Sequence, residues 1–359
     1  MAEPLKNMYN ETFFRLFSEK VLSVYPSFQS DTFLKLIFNE EWDTKELKQR
    51  IRHISECLAE TLPKGYSNAL AILQKLAPTC RGFEYLFFPD FVERYGLHSR
   101  EESLHALKEL TSSSSAEFAI RPFIEAHPEE TMALLLKWAT NSNEHVRRLA
   151  SEGCRPRLPW AKPLTIFKKD PSLIIPILQA LKEDESEYVR KSVANNLNDI
   201  AKDHPAIVKE ICLQWRGQHP HTDWILKHGC RTLLRKADPD ILELFGFERQ
   251  PHVLIEALTL SQTSIQRGES LTFIFQLKNE TSTPYKLRIE YGIDFVKARG
   301  KTSRKLFKIT ENTYQKGSYS FERNHSFKDL STRKHYPGEH YIVIIINGDE
   351  YARSTIMLT

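Results

Sequence analysis

The amino-acid sequence predicts a mostly α-helical protein: an α-solenoid of HEAT-like helical repeats over residues 1–248, then a β-sandwich over residues 249–359. Three observations predict it. Up to about residue 246, apolar residues recur three and four apart. Within that half a short motif returns after 43 and then 36 residues. After "FGFERQPH" the texture changes to β-branched and aromatic runs with stretches of alternation.

In the helical half, "DTFLKLIFNEEWDTKELKQRIRHISECLAETL", "NALAILQKLAP" and "HPEETMALLLKWATNSN" each carry the helical spacing. The repeat aligns "VRRLASEG" (146–153), "VRKSVANN" (189–196) and "ILKHGCRT" (225–232). Each copy follows a helical segment and a polar turn, "TNSNEH", "KEDESEY" or "QHPHTDW". Stacked helix pairs place equivalent positions side by side on a concave face. Glu152, Asn195 and Arg231 then form one row. Arg147, Arg190 and Leu226 form a second, and Arg148, Lys191 and Lys227 a third.

In the β half, "SLTFIFQLKN", "YKLRIEYGIDFV" and "HYIVIIINGDEYARSTIML" read as strands. "KNETSTPY", "YPGEH" and "NGDE" supply turns. About seven strands fit the roughly 110 residues available.

The totals narrow the class. The chain has 359 residues, 41 % hydrophobic and 27 % charged, an ordinary soluble balance. There is no run of eighteen apolar residues, and "MAEPLKNMYN" lacks a signal-peptide pattern, so a cytoplasmic protein is expected. Cys57, Cys80, Cys154, Cys212 and Cys230 stand too far apart for a zinc motif and are expected to be reduced and buried. No P-loop, Rossmann fingerprint or G-x-S-x-G occurs; His204 and His221 lack partners at ligand spacing. No cofactor or metal is expected. Residues 251–359 hold 16 basic and 11 acidic side chains, net +5, against net −1 for the rest. Residues 145–162 alone hold five cations and one acid, which suits a polyanionic partner.

That one acid is Glu152, in "RRLASEGCRPRLPW". Its plain reading is a solvated carboxylate paired with Arg148 one turn earlier. Ser114 and Glu117 in "SSSSAEFAIRPF" match a capping box. Trp160, after Pro159, reads as a packing residue or as an indole presented to solvent. Arg148, Arg155, Arg157, Arg190, Lys191 and Arg231 form a candidate phosphate set, with a solvated face as the alternative. Asn195 and Asp199 lie one turn apart on one helix face; a solvated or capping role suits Asp199 equally well. The cationic run "KARGKTSRK" (297–305) reads as a soluble loop or as a further contact to a polyanion.

"VRRLASEGCRPRLPW", "VRKSVANNLNDIAKDHP" and "HGCRTLLRKADPDILELFGF" together resemble the AlkC branch of the HEAT-like-repeat alkylpurine DNA glycosylases, relatives of AlkD. The opening "MAEPLKN" is also similar. The likeness is strongest over about 115–248, and the β half resembles the immunoglobulin-like domain of some AlkC proteins. The resemblance implies a monofunctional glycosylase of base excision repair that acts on cationic alkylated bases in duplex DNA. The expected target is 3-methyladenine, with 3-methylcytosine as a second candidate. It implies Glu152, Glu117, Trp160 and Asp199 as active-site residues, and Arg148, Arg155, Arg157, Arg190, Lys191, Asn195 and Arg231 as DNA contacts. The expected partner is alkylated DNA, bound by a monomer at the bacterial nucleoid, with no membrane. The rival is a non-catalytic scaffold that binds DNA or protein, since repeat folds do not give function. Acids on a phosphate-facing surface discriminate, because a scaffold for DNA has no use for them.

Overall fold

Asn10 opens the first long helix of the computed structural model, which describes residues 3–298, 300–329 and 334–359. Its side-chain oxygen accepts the Phe13 N–H at 3.0 Å, satisfying a donor left over at the helix start. The helix Glu11–Val24 then buries Phe14, Phe17, Ser18 and Val21, a stripe three and four residues apart. Phe14 meets Phe33 edge-on and Phe17 meets Phe87 the same way. This helix is the first of sixteen α-helices in series among the described residues, the last being Pro239–Leu244. None is long and apolar enough to cross a membrane.

The repeat helices are Glu144–Gly153, Glu187–Asp203 and Pro220–Gly229, and the middle one packs against both others. Gly229 allows the close approach: a Cβ there would sit 3.0 Å from Leu197 Cβ and 3.3 Å from the Ala194 carbonyl oxygen. The recurring arginine has a structural use. Arg147 donates to the carbonyls of Asn141 and Ser142, and Arg190 donates to those of Asp184 and Glu185. Each arginine thus ties down the polar turn that precedes its own helix. The third copy departs from the pattern. Its helix stops at Gly229, and Arg231 begins a separate helix, Arg231–Arg235.

The chain packs as two compact units. The first runs to Val208 and takes in Gln214–Gly229; the second comprises Lys209–Leu213 and everything from Cys230 onward. Residues 230–248 therefore pack with the strands, although their sequence texture is helical. Phe247 is fully buried under the Lys286 ammonium. The Asn347 side chain donates to the Glu248 carbonyl at 2.7 Å.

Eight strands are described: β1 (Val253–Leu260), β2 (Ser264–Ile265), β3 (Ser270–Asn279), β4 (Tyr285–Val296), β5 (Thr302–Tyr314), β6 (Gly317–Ser326), β7 (Gly338–Ile346) and β8 (Asp349–Leu358). They form a three-stranded sheet, β1-β3-β6, and a five-stranded sheet, β2-β8-β7-β4-β5. The two sheets share one core that includes Phe273, Phe275, Ile293, Phe327, Ile344 and Ile356. The strand beyond the expected seven is the two-residue β2, too short to leave a pattern. The cationic run 297–305 is not wholly a loop: Thr302–Lys305 belong to β5, and Arg304 pairs with Asp294 and Glu350. Arg299 of that run lies outside the described residues. All five cysteines are buried and unbonded.

Candidate active site

Glu152 sits on a helix that starts with an Asn143 cap, its side chain accepting the His145 N–H at 2.9 Å. Helical spacing sends Val146, Leu149, Ala150 and Gly153 into the core. It also carries Glu152 inward, where the side chain is only 8 % exposed. The solvated reading therefore fails. Glu152 Oε1 accepts from Arg155 Nη1 at 2.7 Å and lies 3.4 Å from Arg148 Nη2. Arg148 bridges onward to Glu117 Oε2 at 3.1 Å and donates to Ser115 Oγ at 2.6 Å. The Ser115 hydroxyl in turn donates to Glu117. At the other end Arg155 Nε donates to Asp199 Oδ2 at 2.9 Å, and Lys202 caps Asp199 Oδ1 at 3.0 Å. Three carboxylates and three cations thus alternate in one chain of contacts.

Burial works against the charge on Arg148, but Glu117 and Glu152 outweigh it and hold the guanidinium above its ordinary range. Arg155 behaves alike, with burial opposed by Glu152 and Asp199. Buried ion pairs of this kind cost desolvation that their attraction does not fully return. What the arrangement supplies is fixed charge. Among the described residues no hydrogen bond reaches Glu152 Oε2 or Glu117 Oε1, so each carboxylate keeps one oxygen for something else.

The capping-box reading of Ser114 and Glu117 also fails. No helix starts there, the Ser114 hydroxyl is buried without a partner, and Glu117 Oε2 meets Ser115 and Arg148 instead. Asp199, 2 % exposed, is neither solvated nor a cap.

Trp160 is 60 % exposed, so it is not a core residue. Its φ of +64° is a left-handed conformation that bulky side chains avoid. The Ala161 N–H bonds back to the Leu158 carbonyl, and Pro159 occupies the second place of that turn. A left-handed third residue after proline is the type II pattern, where glycine is usual. Two contacts hold the tryptophan there, and a third residue pins the segment around it. Lys48 donates to its carbonyl at 2.5 Å, and Phe83 meets the indole edge-on at 6.4 Å. Arg121 donates to the carbonyls of Gly153, Arg155 and Lys162, pinning the segment from both sides. Burial pushes the Arg121 guanidinium down to about 10.

The expected DNA contacts divide. Arg148 and Arg155 are buried within the charge chain, and Arg190 serves its turn, so none of the three stands on a free cationic row. Arg157 pairs with Asp203 while remaining partly exposed, and exposed Lys191 pairs with Glu187. Asn195 is half-buried beside Asn196, whose amide donates to the Ser151 carbonyl. Arg231 belongs to the second unit. Pattern reading missed Arg121, Ser115, Lys48, Phe83 and Tyr188, whose ring lies 4.9 Å from the Arg148 guanidinium. Single residues far apart in sequence leave no periodic signal. Among the described residues no group of His, Cys, Asp and Glu could hold a metal ion.

Comparison with known proteins adds independent findings. A family model described as "DNA alkylation repair enzyme" matches residues 110–233. One described as "Uncharacterised protein YhaZ, C-terminal Ig-like domain" matches residues 254–359. The uncharacterized protein YhaZ of Bacillus subtilis (strain 168) is 50 % identical over 346 residues, 96 % of each chain. The Pseudomonas fluorescens alkylpurine DNA glycosylase AlkC, bound to DNA containing an abasic site analog, superposes with a TM-score of 0.95 at 38 % identity. That match covers 99 % of this chain and 100 % of the other.

Proposed function

The chain belongs to the AlkC-type DNA alkylation repair glycosylases with a C-terminal immunoglobulin-like domain, and from that premise we propose that it hydrolyses the N-glycosidic bond of cationic alkylated bases in duplex DNA, 3-methyladenine first and 3-methylcytosine second, with no lyase step. The observation that carries the reading is the pair Glu152 and Glu117, buried, joined through Arg148 and each with an uncommitted oxygen. An alkylated cationic base is already a good leaving group, so acid catalysis at the base is dispensable. As the bond breaks, positive charge develops on the sugar. Carboxylates already fixed by arginines stabilise that charge without reorganising. Glu152 Oε2 orients the attacking water, and Asp199 and Arg155 hold Glu152 in place. Trp160 offers an indole face to the cationic base or sugar. A scaffold that only grips phosphates gains nothing from burying three carboxylates at such a surface. Lys202 is held by Asp199 and Lys48 by the Trp160 carbonyl, which supports a reaction without a Schiff-base nucleophile.

Single-turnover excision with saturating enzyme tests the assignment. Glu152→Gln keeps shape but removes charge, and its excision rate should fall by about 10²-fold or more. Its affinity for undamaged duplex should hold. Near-normal excision by a folded Glu152→Gln protein contradicts the catalytic role.

A further inference from the structure

We propose that the cavity lined by Trp160 and Phe83, beside the carboxylate pair, is a nucleobase pocket that receives the purine after excision. The proposal rests on the glycosylase reading. The cavity encloses about 110 Å³ and is mostly apolar, with Leu86 and Phe118 among its walls. Trp160 closes one side with an indole that is 60 % exposed. An exposed aromatic face in a left-handed turn is unusual, and here it lines a cavity. Lys48 lies in the wall too, 5.2 Å over the Phe118 ring, and its bond to the Trp160 carbonyl holds the backbone that carries the indole.

Part of the lining is polar. Arg52 is held by Asp90 at 3.0 Å and by Glu93 Oε1 at 2.8 Å. Glu93 Oε2 makes no hydrogen bond among the described residues, and the side chain is 26 % exposed. The group that fits is therefore planar, to lie on the indole, and carries an N–H donor for Glu93. The Asp90 and Glu93 carboxylates in the lining repel phosphate, and a bare cation leaves the aromatic walls unused. A nucleobase with an exocyclic amino group meets both requirements. Ser115 lines the same cavity and also bonds Arg148 and Glu117, so the pocket adjoins the carboxylate pair.

The occupant has two possible sources: the freed base, or a base still attached to a strand. Equilibrium dialysis of the full chain against free 3-methyladenine tests the pocket, first alone and then with saturating abasic-site duplex. Saturable binding is expected, weakened about tenfold in Glu93→Gln and a few-fold in Phe83→Leu, with melting curves on the same preparations. Binding that persists beside the abasic duplex assigns the pocket to the freed base. Loss of binding beside the duplex assigns it to a strand-attached base and overturns the product role. No saturable binding by the wild type, or binding untouched by both variants, overturns the pocket itself. A protein that binds the free base yet releases none from methylated DNA keeps the pocket and loses the glycosylase reading.

Discussion

Glu152 and Trp160 show how differently single residues yield to sequence reading. The charge of Glu152 amid arginines is visible in "RRLASEGCRPRLPW"; its burial is not, because helical spacing alone leaves its face open. Burial changes the predicted cost of mutation. Glu152→Gln leaves Arg148 and Arg155 partly uncompensated, so it should lose some of the ~3–5 kcal/mol typical of breaking a buried pair. Rates must therefore be measured well below the melting temperature. Glu117→Gln shares Arg148, so the double variant should lose less activity than the product of the singles, as groups acting together do. Single-turnover rates of all three proteins check this; strictly multiplicative losses contradict a shared site. Trp160 is tested by Trp160→Gly. Glycine relieves the left-handed strain, about 1 kcal/mol, and offsets that by its own unfolded-state freedom. Melting should hold within about 1 kcal/mol while excision falls. A melting drop of several kcal/mol places the indole in the core instead.

At the scale of elements, the repeat was legible because Arg147 and Arg190 recur at the same place in matching helices. Their job was not. A cation at equivalent positions reads the same whether it faces phosphate or folds back onto a turn. The structure shows the second, with Arg190 donating to two carbonyls and Arg147 to two more. Arg190→Ala should therefore destabilise the chain by about 1–3 kcal/mol, the worth of hydrogen bonds from a charged donor. It should leave the salt dependence of DNA binding unchanged. Urea unfolding and salt titrations on the same variant decide this. Unchanged stability with a shallower salt slope returns Arg190 to the phosphates. The third copy misled for a related reason: "HGCRT" continues the pattern in letters, but the helix stops at Gly229 and Arg231 leaves the row.

At the scale of the molecule, the two-part architecture was legible from the change of period, yet residues 230–248 went to the other unit. Their helical texture describes local geometry, whereas packing is decided by partners such as Lys286 and Asn347, about forty and a hundred residues away. In a chain cut after Arg249, amide exchange across 230–248 should be fast, because Phe247 loses its cover. Protection equal to that of the full chain contradicts that dependence. Duplex binding by the full chain should weaken with salt, with a slope of about −0.9 per phosphate neutralised. The central claim remains that the carboxylate pair does chemistry on DNA, and base release tests it most directly. The intact protein is incubated with methylated duplex, and the freed bases and the remaining DNA are both analysed by chromatography. The account predicts 3-methyladenine in solution and unbroken strands carrying abasic sites that alkali then cleaves. Tight, salt-sensitive binding with no base released contradicts it and leaves a scaffold.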